Sequence, residues 1–594
     1  MNKYLFLFTV GPVQSFIGQA RKTQDLYAGS FLLSHLIDSA MKEIEDKVNN
    51  CKFIFPHKNI KSKPNRFIAE IEYDDAGKAG KDLKDFVETE FEDIAKIALD
   101  SLDINYDNDF KHSFLSQIKT HLQVNWVALP LEKNYEATYK ELESYLGSIK
   151  NVKAFKQLNN GRGEIGRKCS LCGERNVLFY RGRKRAYTTD SAVSLDRQPS
   201  RYMSDGEGLC AVCFTKRFAD KYQNFKDKYE KNYPSTAEIA LMDSLNNLDS
   251  GLLDKYEEIF GDNFDEELYY EDSLTERYFR KNNYPAEKLE DAKVYLRKIS
   301  EKARENKVTF SRYYAILMLD GDNMGRWLSG EFLEEHEKIR LEDFHKKLTE
   351  QLGSFAQSVK DIIKEPKGKL VYAGGDDVLA FINLNQLLPL MKRLREEFPK
   401  FEGFGFEIKG NNKSSPSVGI AIAHYKTPLS EALNWARKME KEAKKNGGRD
   451  AFAIAVLKRS GGISKTMFKW QYGDSSSIEI LEHLIKSLKP KEGSEQADFS
   501  NTFIKNLGIE FRWLMDEEGK YKEGDIIKTE MKRLVGRSCL MTRGEGETKE
   551  DFKKKKKQAI ADLTEKLDRL YTNKSLDNFL SSLEIADFIK RGGS

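Results

Sequence analysis

Four aspartates on two short segments are the residues whose type and spacing most clearly suggest chemistry. Asp376 and Asp377 follow two glycines in "KLVYAGGDDVLAFI", residues 369–382, and Asp320 and Asp322 are separated by one glycine in "LDGDNMGRWLSG". A hairpin turn needs only one Asn or Asp beside a Gly, whereas adjacent carboxylates repel each other. The pair in the first segment therefore indicates either an ordinary acidic turn or a site that holds positive charge.

Divalent cations would explain all four carboxylates. Their mutual repulsion amounts to several kcal/mol at an effective dielectric constant of about 20, and two Mg²⁺ ions roughly 3.5–4 Å apart would relieve it. One ion would activate an attacking ribose hydroxyl and the other would hold a triphosphate. Gly321, Gly374 and Gly375 would let a nucleotide approach the backbone closely. We therefore predict a site for Mg²⁺, or Mn²⁺, made by Asp320, Asp322, Asp376 and Asp377.

The elements around these residues predict how they meet. Residues 306–465 contain the strand "YYAILMLD", a helix over about 337–363, the acidic hairpin, the strand "SVGIAIAH", the helix "LSEALNWARKMEKEAKK" and the strand "AFAIAVL". An order of strand, helix, hairpin, helix and strand suits a ferredoxin-like palm, an antiparallel sheet with helices on one face. In that fold the first strand lies beside the hairpin, so the two acidic segments should converge.

Cations follow at the end of the last of these helices. The segment "EAKKNGGRD" contains Lys444, Lys445 and Arg449. Cations there can meet the β- and γ-phosphates of a nucleotide. The alternative is a solvated helix end, where cations interact favourably with the helix dipole.

Four of the six cysteines form two C-x-x-C pairs. "CSLCGER" contains Cys169 and Cys172, and "GLCAVCF" contains Cys210 and Cys213. In a reducing compartment such pairs indicate a metal rather than disulfides, and two of them complete a tetrahedral thiolate site. We predict structural Zn²⁺ with a looped-out insertion between the pairs. A redox dithiol is the alternative.

Composition and pattern indicate several domains in a soluble, cytoplasmic protein. The 594 residues are 32% charged, and the net charge is only +4, so any nucleic-acid contact must be a local patch. The longest apolar runs are too short to span a bilayer, and "YLFLFTV" lacks the cleavage site of a signal peptide. We predict an α+β multidomain protein whose four domains cover residues 1–150, 151–305, 306–465 and 466–594.

These motifs together carry a family resemblance. "YAGGDDVLAF", "LDGDNMG", "SVGIAIAHYKTPLSEAL", the "CSLCGER" knuckle and the opening "GPVQSFIGQARKTQDLYAGSFLLS" occur in one chain. The set resembles the large polymerase/cyclase subunit of type III CRISPR effector complexes, of the Cmr type (type III-B), and the resemblance covers nearly the whole chain. The palm also resembles GGDEF diguanylate cyclases, but the cysteine insertion and the opening motif do not fit those enzymes.

The resemblance implies an architecture and an activity. It implies two ferredoxin-like palm domains that face each other, with a zinc-binding helical domain between them in sequence and a helical domain at the C-terminus. The implied substrate is ATP, and the implied product is a cyclic oligoadenylate that acts as a second messenger in antiviral defence. Guide RNA, target RNA and the other subunits of the complex are the implied partners, and target RNA is the implied activator.

The resemblance also assigns residues. Asp320, Asp376 and Asp377 match the catalytic, metal-binding carboxylates of the family, and Asp322 is a weaker match. The first palm contains no Gly-Gly-Asp-Asp hairpin, so we expect it to bind a second nucleotide without contributing metal ligands. Candidate nucleotide contacts at its first strand–helix junction are Gly11, Gln14 and Ser15, although the junction can also be a plain helix start with Pro12 in the first turn.

One departure from the family bears on activity. Many members begin with an HD-type metal nuclease, whereas ten residues precede "GPVQSF" here and none of the eight histidines is followed by Asp. We therefore expect no HD DNase activity. Three alternatives remain open: a GGDEF-type stand-alone cyclase that uses GTP, a structural subunit with a relict acidic hairpin, and a transferase with the same palm chemistry that passes AMP to another adenosine acceptor such as S-adenosylmethionine.

Overall fold

The first part of the chain forms a four-stranded antiparallel sheet with helices on both faces. In the computed structural model the described residues are 2–131, 134–152, 165–199, 202–225, 228–490, 496–514, 524–544, 546–572 and 575–592. The strands are β1 (Asn2–Gly11), β2 (Asn50–Phe55), β3 (Arg66–Tyr73) and β4 (Gln123–Pro130). The helices are α1 (Gln14–Gly18), α2 (Thr23–Lys47), α3 (Ala76–Asp100), α4 (Asn108–Lys119) and α5 (Tyr135–Asn151).

The order and packing of this sheet are ferredoxin-like. The strands lie in the order β2-β3-β1-β4, and every neighbouring pair is antiparallel. Side chains alternate between faces along a strand. Phe6 and Phe8 therefore join the core under α2 and α3, while Leu5 and Leu7 pack on the other face with α5. The sequence predicted this first palm as one of two, and the strand order has the predicted topology.

The cysteine-containing region is a small three-stranded sheet followed by helices. Its strands are β5 (Phe179–Tyr180), β6 (Val193–Ser194) and β7 (Gly208–Leu209), in the order β6-β5-β7. Its helices are α6 (Ala211–Arg217), α7 (Thr236–Asn246), α8 (Ser250–Glu258), α9 (Glu276–Lys281) and α10 (Lys288–Glu305). The apolar side chains around the cysteines belong to the same continuous core as the first sheet, so this region packs directly on it.

The second large sheet is six-stranded. Its strands are β8 (Tyr313–Gly321), β9 (Gly368–Ala373), β10 (Asp377–Asn383), β11 (Pro416–His424), β12 (Ala451–Leu457) and β13 (Ile463–Lys469). Its helices are α11 (Met324–Leu328), α12 (Leu341–Ile362), α13 (Leu387–Glu397) and α14 (Leu429–Lys445). The strand order is β13-β12-β11-β8-β10-β9.

This sheet contains a complete ferredoxin-like unit and an extension. In the order β11-β8-β10-β9 each strand is antiparallel to its neighbour, and α12 and α13 are the crossover helices of that unit. Helix α14 then leads into β12, which is parallel to β11, and β13 follows antiparallel. The sequence prediction did not include α13 and took α14 as the second palm helix. The strand β13 also continues to Lys469, past the predicted boundary at 465.

The last part of the chain is mainly helical. A short hairpin with two residues in each strand, β14 (Gln471–Tyr472) and β15 (Ser475–Ser476), precedes the helices. These are α15 (Ser477–Leu488), α16 (Thr502–Trp513), α17 (Gly524–Arg537), α18 (Lys549–Thr572) and α19 (Leu576–Lys590). They share one core with α12, α13 and one face of the second sheet. Within the described part of the chain, no helix is long and apolar enough to cross a bilayer.

Candidate active site

The acidic hairpin is a tight glycine turn between β9 and β10. Gly375 has φ +111°, a conformation that favours glycine, and the Gly374 amide donates a hydrogen bond to the Asp377 carbonyl at 2.9 Å. In the antiparallel register Asp377 pairs with Asp320 of β8, and the Gly321 amide donates to the Asp376 carbonyl at 3.1 Å. The predicted convergence of Asp320, Asp376 and Asp377 is therefore observed.

These three aspartates line one wall of a cleft between the two large sheets. The cleft has a volume of about 290 Å³, at the small end of the range for ligand sites, which begins near 300 Å³. Its opposite wall comes from the first sheet and its helices, and the residues there are Val13, Ile17, Ser30, Leu33, Phe55, Ser62, Lys63, Pro64, Asn65 and Arg66. The loop between β2 and β3 thus brings polar and cationic side chains opposite the acidic hairpin.

Burial makes the hairpin carboxylates expensive to ionise. Burial raises the pKa of Asp376, and it raises the pKa of Asp377 to about 7, with the Asp376 charge adding to the shift. The Tyr372 hydroxyl donates to Asp377 Oδ2 at 3.1 Å and partly offsets this effect. Arg66 across the cleft favours the charged form of Asp376. The two carboxyl groups are therefore harder to ionise than exposed ones, and Tyr372 and Arg66 offset this effect only in part.

A cation on α14 lies beside the third aspartate. The Lys444 ammonium forms an ion pair with Asp320 and a second with Glu440, at 2.9 Å. Burial, with a contribution from Arg449, lowers the pKa of Lys444 to about 8. The predicted phosphate-binding lysine is thus close to the predicted metal ligands, and in this arrangement it neutralises one of them.

The donor set fits a hard divalent cation. Carboxylate oxygens are the ligands that Mg²⁺ and Mn²⁺ prefer, and the side chains of three aspartates line the cleft at the end of one sheet, beside the glycine backbone at Gly374 and Gly321. A Cβ on Gly321 would lie 3.0 Å from the Asp376 Cβ and from the Met324 Sδ, so a larger residue would require one of these side chains to shift. Asp320, Asp376 and Asp377 are the residues that would hold such an ion, but among the described residues only the four cysteines have ligand atoms within 4.8 Å of one another.

Asp322 is arranged differently from the other three. Its carboxylate accepts hydrogen bonds from Ser417 Oγ at 2.7 Å, Ser415 Oγ at 2.8 Å and the Asp450 amide at 2.9 Å. It is 3% exposed, and burial raises its pKa. The strand ends at Gly321, so the alternation that would place Asp322 on the same face as Asp320 does not continue. Asp322 joins β8 to β11 and β12, and the structure does not bring it into the cleft.

The predicted contacts at the first strand–helix junction lie beside the cleft. Among the described residues that line it, Val13 and Ile17 represent this junction, while Gly11, Gln14 and Ser15 do not. The Gln14 carbonyl instead accepts from Arg437 Nη2 at 3.3 Å, at the edge of a neighbouring basic depression on α14. The Arg449 side chain is close enough to influence Lys444, and its own backbone has φ +62°.

Sequence reasoning missed the residues that the β2–β3 loop contributes. Lys63, Asn65 and Arg66 occur in "KSKPNRF", and the run of basic and polar residues is the only local signal. Lys63 is 8% exposed, which is unusual for a lysine in a loop, and Arg66 Nη1 donates to Glu143 at 3.0 Å. Their hydrogen bonds and ion pairs are with residues of the first 150, and their position opposite the acidic hairpin depends on how the two sheets pack, so no pattern within the loop reveals it.

A buried histidine joins the two halves of the chain near the cleft. The Tyr135 hydroxyl on α5 is 2.8 Å from His345 Nδ1 on α12, and His345 Nε2 donates to the Leu328 carbonyl at 2.7 Å. A carbonyl can only accept, so Nε2 carries a proton, and the lowered pKa of the ring leaves Nδ1 as the acceptor for the Tyr135 hydroxyl. Burial lowers the pKa of His345 to about 4. Because Leu328 also lines the cleft, this chain of hydrogen bonds fixes one wall.

The four paired cysteines come together as predicted. The sulfurs of Cys169, Cys172, Cys210 and Cys213 all lie within 4.8 Å of one another, and Cys172 Sγ is 3.8 Å from Cys210 Sγ. Tetrahedral Zn–S bonds of about 2.3 Å place sulfurs roughly 3.8 Å apart. The thiol set therefore fits Zn²⁺ in type, number and spacing.

Comparisons with known proteins agree with this architecture. The family model described as Cas10/Cmr2, second palm domain, matches residues 313–453, and that of CRISPR-associated protein Cmr2, N-terminal, matches residues 5–126. The Cmr subunit Cmr2 of Pyrococcus furiosus is 25% identical over an alignment that covers 96% of this chain and 73% of that protein.

Solved structures show the same fold. A cryo-EM structure of a type III-B Cmr-beta complex in the apo state includes a chain with a TM-score of 0.64 and 16% identity, covering 100% of this chain and 82% of that one. The complex bound to cognate target RNA gives a TM-score of 0.63 and 15% identity, covering 100% and 83%. The fold and the acidic cleft define a multidomain α+β protein with a palm-type sheet. Two separate parts of the chain match models of this group, so the chain is similar to the Cas10/Cmr2 family of CRISPR proteins, and over most of its length to a Cmr2 subunit.

Proposed function

We propose that this chain is the nucleotidyltransferase subunit of a type III CRISPR effector complex and joins ATP molecules into a cyclic oligoadenylate. The observation that supports the proposal most directly is the cleft itself. It combines three convergent carboxylates on one wall with cationic and polar side chains of the first sheet on the other. This arrangement suits phosphoryl transfer, in which positioning and electrostatics supply nearly all of the catalysis.

The residues divide the work as follows. A hydroxyl oxygen of one nucleotide attacks the α-phosphorus of the next, and pyrophosphate leaves. Bound Mg²⁺ or Mn²⁺, held by Asp320, Asp376 and Asp377, would activate that hydroxyl and stabilise the departing charge. Lys444 supplies an ammonium beside Asp320, and Tyr372 orients the Asp377 carboxyl. The apolar surface on the wall of the first sheet suits an adenine ring.

The domain arrangement follows from the same proposal. Residues 1–150 would form a palm that binds a nucleotide without catalytic metals, and residues 306–465 would form the catalytic palm, extended by β13. Residues 151–305 would form the zinc-binding helical domain, and residues 466–594 the helical C-terminal domain. Because the cleft is made by both palms, catalysis depends on their spacing.

Activation by RNA is part of the proposal. The Cmr-beta relative was solved both in an apo state and bound to cognate target RNA. We propose that this chain likewise works with protein subunits, guide RNA and target RNA, and that target RNA raises its rate by biasing the palm-to-palm arrangement. Misplacing reacting groups by about 1 Å costs roughly a hundredfold in rate, so small domain shifts are sufficient for control.

Product analysis tests the proposal. The isolated chain, the guide-loaded complex and that complex with target RNA are given ATP and Mg²⁺, and the products are identified by mass spectrometry. Cyclic oligoadenylate formed fastest with target RNA is expected. The same reaction with S-adenosylmethionine present reveals an AMP conjugate if the acceptor differs. A parallel set of samples receives GTP in place of ATP, and faster product formation from GTP, at equal rates in all three samples, would favour the GGDEF-type alternative.

The site assignment is tested with isosteric variants. Asp376→Asn combined with Asp377→Asn keeps the side-chain volume and removes the metal-binding charge, so product formation should be lost while the chain still folds. Asp361→Asn, at an exposed position on α12, is the matched control and should retain the wild-type rate. Near-normal synthesis by the double variant would show that the reaction occurs elsewhere.

A further inference from the structure

Helix α6 ends in two consecutive buried cations that contact the helices next to the cleft. Lys216 is 1% exposed, and its ammonium donates to the carbonyl of Phe16 at 2.8 Å and that of Gln19 at 2.5 Å. Arg217 contacts Asp25 at the start of α2 through Nε and Nη2, at 2.8 and 2.7 Å. One short helix therefore holds both the end of α1 and the beginning of α2.

The Lys216 side chain passes between α1 and α2 at Gly29, where the absence of a side chain leaves room for it. A Cβ added to Gly29 on α2 would lie 3.1 Å from the Lys216 Cδ and 3.2 Å from the Ile17 Cα. Any larger residue would push either the lysine or α1 away. The ammonium also lies 5.2 Å from the centroid of the Phe16 ring. Burying a lysine without a directly bonded carboxylate is unfavourable unless its donors are satisfied, so these carbonyl contacts define its role.

The other end of α6 belongs to the cysteine cluster. The helix begins directly after Cys210, whose sulfur accepts a hydrogen bond from the Cys213 amide at 3.4 Å. Cys213 is three residues before Lys216, so the two side chains lie on the same face of the helix. A tetrahedral metal at the four thiols would fix the first turn of α6, and with it the direction of the Lys216 side chain.

Helix α1, which Lys216 contacts, and the neighbouring α2 form part of one wall of the cleft. Ile17 of α1, Val13 just before it, and Ser30 and Leu33 of α2 all line the cavity opposite the acidic hairpin. The Ile17 amide donates to the Val13 carbonyl at 2.9 Å, so a displacement of α1 moves both residues. Lys216 is thus connected to the cysteines through helix α6 and to the cleft through helix α1.

We propose that Lys216 is a positioning residue that couples metal occupancy of the four-cysteine site to the shape of the first-palm wall. The coupling is a structural statement about α1, and its effect on nucleotide affinity rests on the proposed function. Zinc removal should loosen α1, although no cysteine lines the cleft among the described residues. Replacing Lys216 should loosen α1 in the same way with zinc still bound.

Hydrogen exchange at residues 13–20 tests the structural part. Lys216→Met keeps the apolar stem and removes the ammonium, so exchange of the Ile17 and Gln19 amides should accelerate at least tenfold while zinc content stays at one ion per chain. Lys216→Gln retains an amide donor and should recover part of the protection. Lys184→Met, which alters a partly exposed lysine of the same region, is the control and should match the wild type. Unchanged exchange in Lys216→Met and in Lys216→Gln would overturn the proposal.

Chelation provides a second arm that needs no substitution. Removing zinc from the wild-type chain should accelerate exchange at residues 13–20, and the additional effect in Lys216→Met should be small because both changes act through one contact. Equal acceleration by chelation in both proteins would show that coupling does not pass through Lys216.

ATP affinity, measured by calorimetry with Mg²⁺, separates this inference from the proposed function. We expect binding about tenfold weaker in Lys216→Met than in Lys184→Met. If the wild-type chain and its complex bind no ATP, the proposed function fails, and the exchange data still decide the coupling. If the wild type binds ATP and Lys216→Met binds it equally well with unaltered exchange, the coupling alone is refuted.

Discussion

Replacing Gly419 by alanine should disturb the acidic cleft, although Gly419 does not line it. This residue lies in the central strand β11, directly under α14. A Cβ built there would be 2.1 Å from the Glu440 amide nitrogen and 2.2 Å from the Ala436 carbonyl oxygen. Both atoms are helix backbone, so no side chain can rotate away. Gly419→Ala therefore requires α14 to move relative to the sheet.

The size of the movement follows from these contacts. Ordinary van der Waals contact begins near 3.4 Å, so the separation must grow by about 1.3 Å, from 2.1 to 3.4 Å. Helix α14 carries Lys444, which is paired with Asp320, and Arg437, which contacts the first palm at the Gln14 carbonyl. A displacement of about 1 Å costs roughly a hundredfold in rate, and overpacking of this kind costs about 1–3 kcal/mol of stability.

The assay compares Gly419→Ala with a glycine that has room. Gly147 lies in α5, and a Cβ there meets nothing within 4 Å, so Gly147→Ala should retain activity and gain a few tenths to about 1 kcal/mol from helix propensity. The rate of nucleotide product formation and urea unfolding are measured for both variants and the wild type. A Gly419→Ala protein with a rate within threefold of the wild type would refute the view that the α14 position controls the site.

Two further substitutions test the contacts that hold the halves of the chain together. Arg217→Met should lower the free energy of unfolding by about 3–5 kcal/mol because Asp25 would be left as an unpaired buried carboxylate, whereas Arg326→Met, which breaks an exposed ion pair, should change the urea midpoint little; equal midpoints for the two variants would contradict this reasoning. Because His345 is neutral in the folded chain with a pKa near 4, its contribution is complete above about pH 6.5 and is lost as pH falls toward 4, by up to about 3 kcal/mol. His345→Gln should therefore show a smaller loss of stability between pH 7 and pH 4.5 than the wild type, and parallel pH curves for the two proteins would exclude His345 as the group responsible.

The acidic site could be predicted from sequence because its parts are local or adjacent in a common fold. Strand ends, a glycine turn and the ferredoxin-like order place Asp320 beside Asp377 with no further information, and the structure has that register. The four-cysteine site could be predicted equally well because two C-x-x-C pairs are the usual pattern of a tetrahedral thiolate site. In both cases each half of the site is a motif of a few residues that can be recognised in the sequence by itself.

The errors arise where a pattern stops or where distant segments meet. Asp322 was grouped with Asp320 because it follows the strand end by one glycine, but β8 ends at Gly321, Asn323 has φ +56°, and the Asp322 carboxylate is bonded to Ser415 and Ser417 outside the cleft. The helix α13 was not included in the predicted palm, which made α14 appear to be the second crossover helix. Arg66 was missed because its position opposite Asp376 depends on the packing of two separate sheets.

The arrangement of charge explains why the site is built from two palms rather than one. The acidic hairpin by itself presents carboxyl groups whose ionisation is opposed by burial, and that of Asp377 also by the charge of Asp376. Within the same part of the chain, Lys444 on α14 neutralises Asp320, and the Tyr372 hydroxyl stabilises the charged form of Asp377. For Asp376 the favourable charge comes from Arg66 on the other palm. The packing of the two sheets thus adds a favourable charge near the hairpin as well as forming the cleft. Under the proposed function, a change in the spacing of the two sheets would change how strongly the three carboxylates attract a cation, and catalysis would be controlled in this way.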